Sequence, residues 1–349
     1  MSDLHAEDYR PPRWLRDAHV QSVLSSSPWR RRRGRALFAA TGAVTRELIL
    51  PGGADVRLQG FHSTVPGRAP RALAVLFHGW EGSVESGYLL HTAARLLAGG
   101  FDVFRLNFRD HGDTHHLNQD IFHSCRLAEV VHAVKALGER FTPLPLVVAG
   151  YSLGGNFALR VARAAPAAGI RLRHAAAVCP VIDPAAGMDA LERGLPLYHW
   201  YFARKWRRSL EKKRRLFAAH RDLDDRVLSL GIRELTAHLV RRGGEFPSLE
   251  AYFDGYSVAG DRLAELQVPV SILTAADDPV IPVHSFHGLR LPAHSRLEIS
   301  PWGGHCGFIE GLHLRGFGER WVVARLSAAL AAASEHGGRA TIDGSFTAS

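Results

Sequence analysis

The chain has 349 residues, 46% hydrophobic and 22% charged, an ordinary balance for a soluble globular protein, and it is long enough for one large domain or two small ones. Its three cysteines, Cys125, Cys179 and Cys306, are far apart in sequence with no C-x-x-C spacing, so nothing argues for a disulfide framework or an oxidising compartment. The net charge of +9 comes partly from arginines 30–33 with Arg35 and from the basic stretch 204–215; no nucleic-acid-binding motif accompanies either cluster, and no nucleic acid is expected as a partner.

In chain order, residues 1–40 read as an N-terminal extension with a Pro-Pro turn and one helical piece near 14–24. The extension carries charges of both signs, and no apolar run reaches signal-peptide or membrane-spanning length. The expectation is a cytoplasmic chain without an N-terminal membrane anchor. Two strand-like segments follow, 44–50 and 56–61, joined by the turn-rich PGGAD and suited to an antiparallel hairpin. Apolar runs at 72–77, 103–107, 146–149, 175–179 and 270–274 then alternate with helix-like segments at 88–97, 124–137 and 156–164. Such alternation predicts right-handed βαβ units and a mostly parallel sheet with helices on both faces.

The alternation stops over 181–263, where the sequence becomes helical, basic and aromatic. This stretch is read as a helical cap inserted over the carboxyl ends of the strands, the side on which open α/β sheets bind ligands. The core then comprises 41–180 and 264–333, with a last helix near 317–332, and 334–349 is expected to be a disordered tail. Trp200, Tyr201, Phe202 and Trp206 are interleaved with the second basic cluster. A solvated helix face is the plainer reading of that pattern, and transient contact with an anionic membrane surface is the alternative.

The chemistry centres on Gly150-Tyr151-Ser152-Leu153-Gly154, which follows a β-branched apolar run and precedes a helix-like segment. This is the G-x-S-x-G pattern, in which Gly150 and Gly154 leave room for a sharp strand-to-helix turn that lifts a serine hydroxyl above the sheet. A serine hydroxyl is a poor nucleophile at neutral pH and needs a base, itself oriented by a third group. In enzymes built on this turn the acid follows the serine, and the histidine follows the acid. Here a strand-like run leads into Asp277-Asp278-Pro279, and His305 follows in a glycine-rich loop, WGGHCGF, before the last helix. His284, His287 and His294 lack that setting. An oxyanion needs two N–H donors; the expected ones belong to Leu153, at the helix start, and to Trp80, in the loop HGWEGS after the strand 72–77.

Together the segments HGWEGSVESGY, RLNFRDHGDTHHLN, GYSLGGNFALR, TAADDPVIP and WGGHCGF resemble the α/β-hydrolase superfamily. Their spacing is similar to that of the YheT-like hydrolases, relatives of the animal α/β-hydrolase-domain lipid esterases, over about residues 10–330. The resemblance implies an α/β-hydrolase fold and a serine hydrolase of carboxylic esters, of short to medium acyl chain or lipid type. It also implies Ser152, Asp278 and His305 as catalytic triad, with no cofactor and no metal. Asp278 precedes the proline as in the acid turn of this superfamily, which leaves Asp277 as second choice for the acid, bracing the loop.

Residues 109–116, RDHGDTHH, crowd imidazoles and carboxylates, but the order matches no metal motif, and four ligands from eight residues seldom converge on one ion. The loop is expected to border the active site, with Arg109 and Asp110 holding it and some histidines facing the cleft. Thioester, lactone or acyl-transfer chemistry on the same triad, or a non-catalytic protein at the membrane surface, are the competing readings. The expected partner is a small-molecule or lipid ester substrate, with no stable protein partner inferred.

Overall fold

The structure is a computed structural model and describes residues 4–339. Short 3-10 turns at Ala6–Asp8 and Arg13–Leu15 lead into helices α1 (Ala18–Ser25) and α2 (Pro28–Ala39). Both helices start on side-chain caps: Asp17 accepts from the Val20 N–H, and Ser27 accepts from the Arg30 N–H with Pro28 opening the first turn. A single helical piece was expected here. The second exists because arginine is a good helix former and because Arg30, fully buried, pairs with Glu319.

Strands β1 (Val44–Pro51) and β2 (Arg57–Thr64) form the antiparallel hairpin. Then come β3 (Leu73–Phe77), α3 (Gly87–Ala98), β4 (Asp102–Leu106), α4 (Leu127–Arg140), β5 (Leu146–Tyr151), α5 (Leu153–Ala164) and β6 (Leu172–Val178). Five helices, α6 (Pro184–Arg193), α7 (Pro196–Leu216), α8 (Asp225–Leu228), α9 (Ile232–Gly243) and α10 (Leu249–Tyr256), precede β7 (Val270–Ala275), β8 (Arg296–Ser300) and α11 (Phe317–Arg339). The eight strands form one sheet in the order β1-β2-β4-β3-β5-β6-β7-β8. Pairing is parallel from β4 through β8, and β2 joins β4 antiparallel. β8 escapes the sequence reading because it is an edge strand with Arg296 and Glu298 among its five residues.

β3, β4, β5 and β7 are buried along their whole length, as a parallel sheet covered on both faces requires. Side chains alternate between two cores: Leu73, Val75 and Phe77 face the α4, α5 and cap side, while Ala74 and Leu76 face α3 and α11. Cap residues Tyr198, Trp206, Leu210, Ile232 and Leu235 belong to the first of these cores, so the cap is packed continuously onto the sheet. α11 runs to Arg339, past the start of the expected tail; residues 340–349 lie outside the described residues.

Candidate active site

Only Ser152 separates the last residue of β5 from the first of α5, and its backbone takes φ 54° and ψ −121°. A non-glycine residue with positive φ is strained, and surrounding structure must hold it there. The Ser152 N–H donates to Val178 O at 2.9 Å, and the Ser152 carbonyl accepts from the Asn156 N–H at 3.1 Å. A Cβ on Gly150 would lie 2.0 Å from Gly154 O, and one on Gly154 would lie 2.4 Å from His78 O. Neither position tolerates a side chain, so the two glycines permit the turn to be this tight.

His305 Nε2 lies 2.9 Å from Ser152 Oγ, and His305 Nδ1 lies 2.9 and 3.1 Å from the two carboxylate oxygens of Asp278. Asp278 Oδ1 also accepts from the N–H groups of Val280 and Ile281, at 2.8 and 2.9 Å. Asp277 turns the other way and accepts from the Gly304 N–H at 2.9 Å. In the neutral imidazole, a carboxylate at Nδ1 places the proton on that nitrogen and leaves Nε2 to face the serine with its lone pair. Burial alone would lower the His305 pKa; the Asp278 charge, then Cys306, more than reverse this and hold it well above the usual imidazole range. Burial likewise pushes the Cys306 thiol up, and contacts with Cys179 and His305 outweigh that and bring it down to about 6.

The His305 loop is clamped by α1, the helical piece expected near 14–24, whose sequence does not announce this role. Ser22 Oγ accepts from the His305 N–H at 2.8 Å, and Ser25 Oγ donates to Cys306 O at 2.8 Å. Gln21, fully buried, accepts from the Ile309 N–H at 2.7 Å through Oε1 and donates to Tyr9 Oη and Leu15 O through Nε2. A glutamine and two serines on a short helix carry no recognisable signal for this task.

The loop after β3 is pinned by a set of polar contacts. Phe108 N–H donates to His78 Nε2 at 3.2 Å, so the proton of this imidazole sits on Nδ1 and is donated to Gly79 O at 2.8 Å. Burial, followed by the neighbouring His111, depresses the His78 pKa and keeps the ring neutral. Gly79 N–H is engaged by Tyr88 Oη at 2.9 Å. The next residue, Trp80, lines the same cleft as Ser152 and Leu153. Leu153, as the first residue of α5, has an N–H without an intrahelical acceptor.

The cleft contains about 850 Å³ of space, partly open to solvent. Its wall is mostly apolar, with Met188, Leu191, Phe202, Trp206, Phe253 and Ile281 prominent. Trp80 stacks on Phe202, with ring centroids 5.4 Å apart, and meets Trp206 edge-on. Of the four cap aromatics singled out from sequence, Phe202 and Trp206 line the cleft and Trp200 is exposed. The second basic cluster divides in the same way: Lys213 is buried with Nζ 2.9 Å from Asp110 Oδ1, and Lys205 donates to Glu81 O. Only part of the cluster, including Arg204, Arg208 and Arg215, faces solvent.

Arg109 and Asp110 do hold the histidine-rich loop, through Glu129 at 2.6 Å and Lys213 at 2.9 Å. Its histidines do not face the cleft, contrary to expectation. His111 and His115 are buried, bonded to Arg109 O and Ser209 Oγ, because the loop is roofed by α7. The histidine that lines the cleft is His123, farther along the same connection.

The sheet order, the elbow at Ser152 and the inserted cap define an α/β hydrolase. The family model described as serine aminopeptidase, S33, matches residues 68–306, and the chain belongs to that family. Among curated relatives, the human phospholipase ABHD3 (Homo sapiens) is 24% identical over 69% of this chain and 60% of its own length. The mouse protein (Mus musculus) is 28% identical over 53% of this chain and 45% of its own length, so the chain spans about half the length of these relatives. The YheT protein of Escherichia coli is 27% identical over 91% of this chain and 92% of its own. A Pyrococcus furiosus esterase shares the fold at TM-score 0.53 and 14% identity, covering 84% of this chain and 94% of that one. Among the described residues no helix is long and apolar enough to cross a membrane.

Proposed function

We propose that this hydrolase cleaves carboxylic esters through an acyl-enzyme on Ser152. The carrying observation is the continuous hydrogen-bond chain from Asp278 through His305 to Ser152 Oγ, opening onto an apolar cleft. His305 takes the serine proton as Oγ attacks the ester carbonyl, and then delivers it to the departing alcohol. Asp278 keeps the imidazole in the tautomer that does this. The Leu153 and Trp80 N–H groups receive the oxyanion, and water attacks the acyl-enzyme after His305 accepts its proton. The apolar wall accepts the acyl chain, consistent with relatives named phospholipases.

A peptide substrate with a free amino terminus fits less well. Its ammonium group calls for a carboxylate, and no aspartate or glutamate lines the described cleft. Lipid esters remain within the proposal, and with them a membrane surface as transient partner. His19 of α1 bonds Tyr198 of α7 at 2.9 Å, placing the exposed Val20 and Val23 on a helix adjoining exposed Leu197 and Trp200. Flotation with anionic vesicles at low salt tests that contact, and failure to float removes it.

The test of the central reading is labelling by a fluorophosphonate, wild type beside Ser152→Ala, with the modified peptide mapped. Label confined to GYSLGGNFALR and hydrolysis of nitrophenyl esters lost in Ser152→Ala support it. Ester hydrolysis that survives in pure Ser152→Ala overturns it.

A further inference from the structure

Cys179 and Cys306, 127 positions apart, meet directly behind the proposed general base. Cys306 Sγ is 4.0 Å from His305 Nε2, the Cys306 N–H donates to Cys179 Sγ at 3.4 Å, and Cys179 Sγ, Cys306 Sγ and a His305 ring nitrogen all lie within 4.8 Å of one another. Both cysteines hold positive φ, 44° at Cys179 and 57° at Cys306, at the end of β6 and in the clamped His305 loop. Two strained backbone positions are thus held so that both sulfurs face one imidazole nitrogen. Among the described residues this is the one group of three such side chains able to share an ion.

We infer that Cys179, Cys306 and His305 form an inhibitory binding site for a thiophilic divalent cation of the zinc class. With zinc–sulfur and zinc–nitrogen bonds of about 2.3 and 2.0 Å, a tetrahedral sulfur-to-nitrogen edge is about 3.5 Å. The observed 4.0 Å needs a shift of only a few tenths of an ångström. Ser152 Oγ, 2.9 Å from the same Nε2, or a water in its place, supplies the fourth position. Asp278 at Nδ1 completes the carboxylate-histidine-metal arrangement that orients ligating imidazoles and fixes their tautomer. Two thiolates and a neutral imidazole balance the dication, so the complex adds no net charge to the interior, and binding releases two protons from the three side chains to solvent.

The site is not a catalytic metal centre. An ion there takes the Nε2 lone pair that would accept the serine proton. This consequence rests on the ester-hydrolase reading; the binding itself does not.

The test uses the full chain, fully reduced, with Co²⁺ as spectroscopic probe and Zn²⁺ as competitor. Expected is a thiolate-to-cobalt charge-transfer band that saturates at a single equivalent in wild type, in Ser152→Ala and in Cys125→Ala, and that Zn²⁺ abolishes. The band is lost in Cys179→Ala and in Cys306→Ala, with Cys306→Ser as the variant to use if alanine compromises folding. In wild type, Zn²⁺ suppresses fluorophosphonate labelling of Ser152 and a chelator restores it, while Cys306→Ser labels at its own rate with or without Zn²⁺. No band in reduced wild type, or a band that persists in either cysteine variant, overturns the site. A band without loss of labelling overturns the inhibitory role. Because the Co²⁺ titration is also made in Ser152→Ala, its outcome does not depend on whether the chain is an esterase.

Discussion

Asp277 and Asp278 are consecutive, yet they serve different atoms of one loop: Asp278 meets the His305 ring at Nδ1, while Asp277 accepts from the Gly304 backbone N–H. The backbone turn after β7 sends the two carboxylates apart, and the Val280 and Ile281 N–H groups fix Asp278 toward the imidazole.

Asp278→Asn is therefore expected to preserve the fold and lower kcat by about 10³ to 10⁴, because an amide at this position stabilises the wrong imidazole tautomer. Asp277→Asn keeps a carbonyl oxygen for Gly304 and should cost less than about tenfold, with a stability loss of about 1 kcal/mol. Steady-state rates and thermal unfolding of the two variants check this; equal losses of rate would refute the assignment.

Ser22→Ala and Gln21→Ala test the clamp from α1. Losing the Ser22 oxygen leaves the His305 N–H without its acceptor, a penalty of about 1–3 kcal/mol that the loop can relieve by moving. A displacement of the base near 1 Å costs on the order of a hundredfold in rate. The expected outcome is a lowered kcat with KM nearly unchanged. A change confined to melting temperature would mean that α1 supports the fold and not the placement of the base.

Asp110 and Lys213 form a buried pair between the histidine-rich loop and the cap. Burial pushes the Asp110 carboxyl up to about 6, and Lys213, then the Phe122 N–H, only partly oppose it. A folded-state pKa above the unfolded value means that the folded chain holds this proton longer. Its stabilising contribution is complete below about pH 4 and is lost as pH rises through about 6. The wild-type minus Asp110→Asn difference in unfolding free energy should fall by about 3 kcal/mol across that window. Chemical denaturation at several pH values measures it, and a flat difference would show that Lys213 compensates the charge fully.

Met188→Trp fills the cleft between α6 and the α7 aromatics. Hydrolysis of nitrophenyl octanoate should drop relative to acetate, by on the order of tenfold or more if two or three methylenes lose their apolar contacts. An unchanged octanoate-to-acetate ratio would place the acyl chain elsewhere.

The candidate site is legible in the one-dimensional chain wherever the backbone dictates it locally. A β-branched run, two glycines around Ser152 and an apolar helix face together specify the elbow, because only glycine at 150 and 154 allows the close approach of strand and helix. The order serine, acid, histidine follows from the winding of the sheet, so His305 stands out among twenty histidines by position. β8 and α2 were not legible, since their residues are charged and their stability comes from pairing with β7 and from the buried Arg30 to Glu319 contact.

What tertiary structure alone decided is how groups distant in sequence converge. The 278 carboxylate meets the imidazole while its neighbour at 277 does not, because two backbone N–H groups orient it. His111 and His115 point into the core because α7 packs over them, His116 is exposed, and His123 takes the cleft position instead. Gln21 and Ser22 reach the His305 loop, and Cys179 reaches Cys306, across more than a hundred residues of chain. Local sequence encodes turns and periodicity through sterics and burial; contacts of this range depend on how the finished layers pack, which no short segment carries by itself.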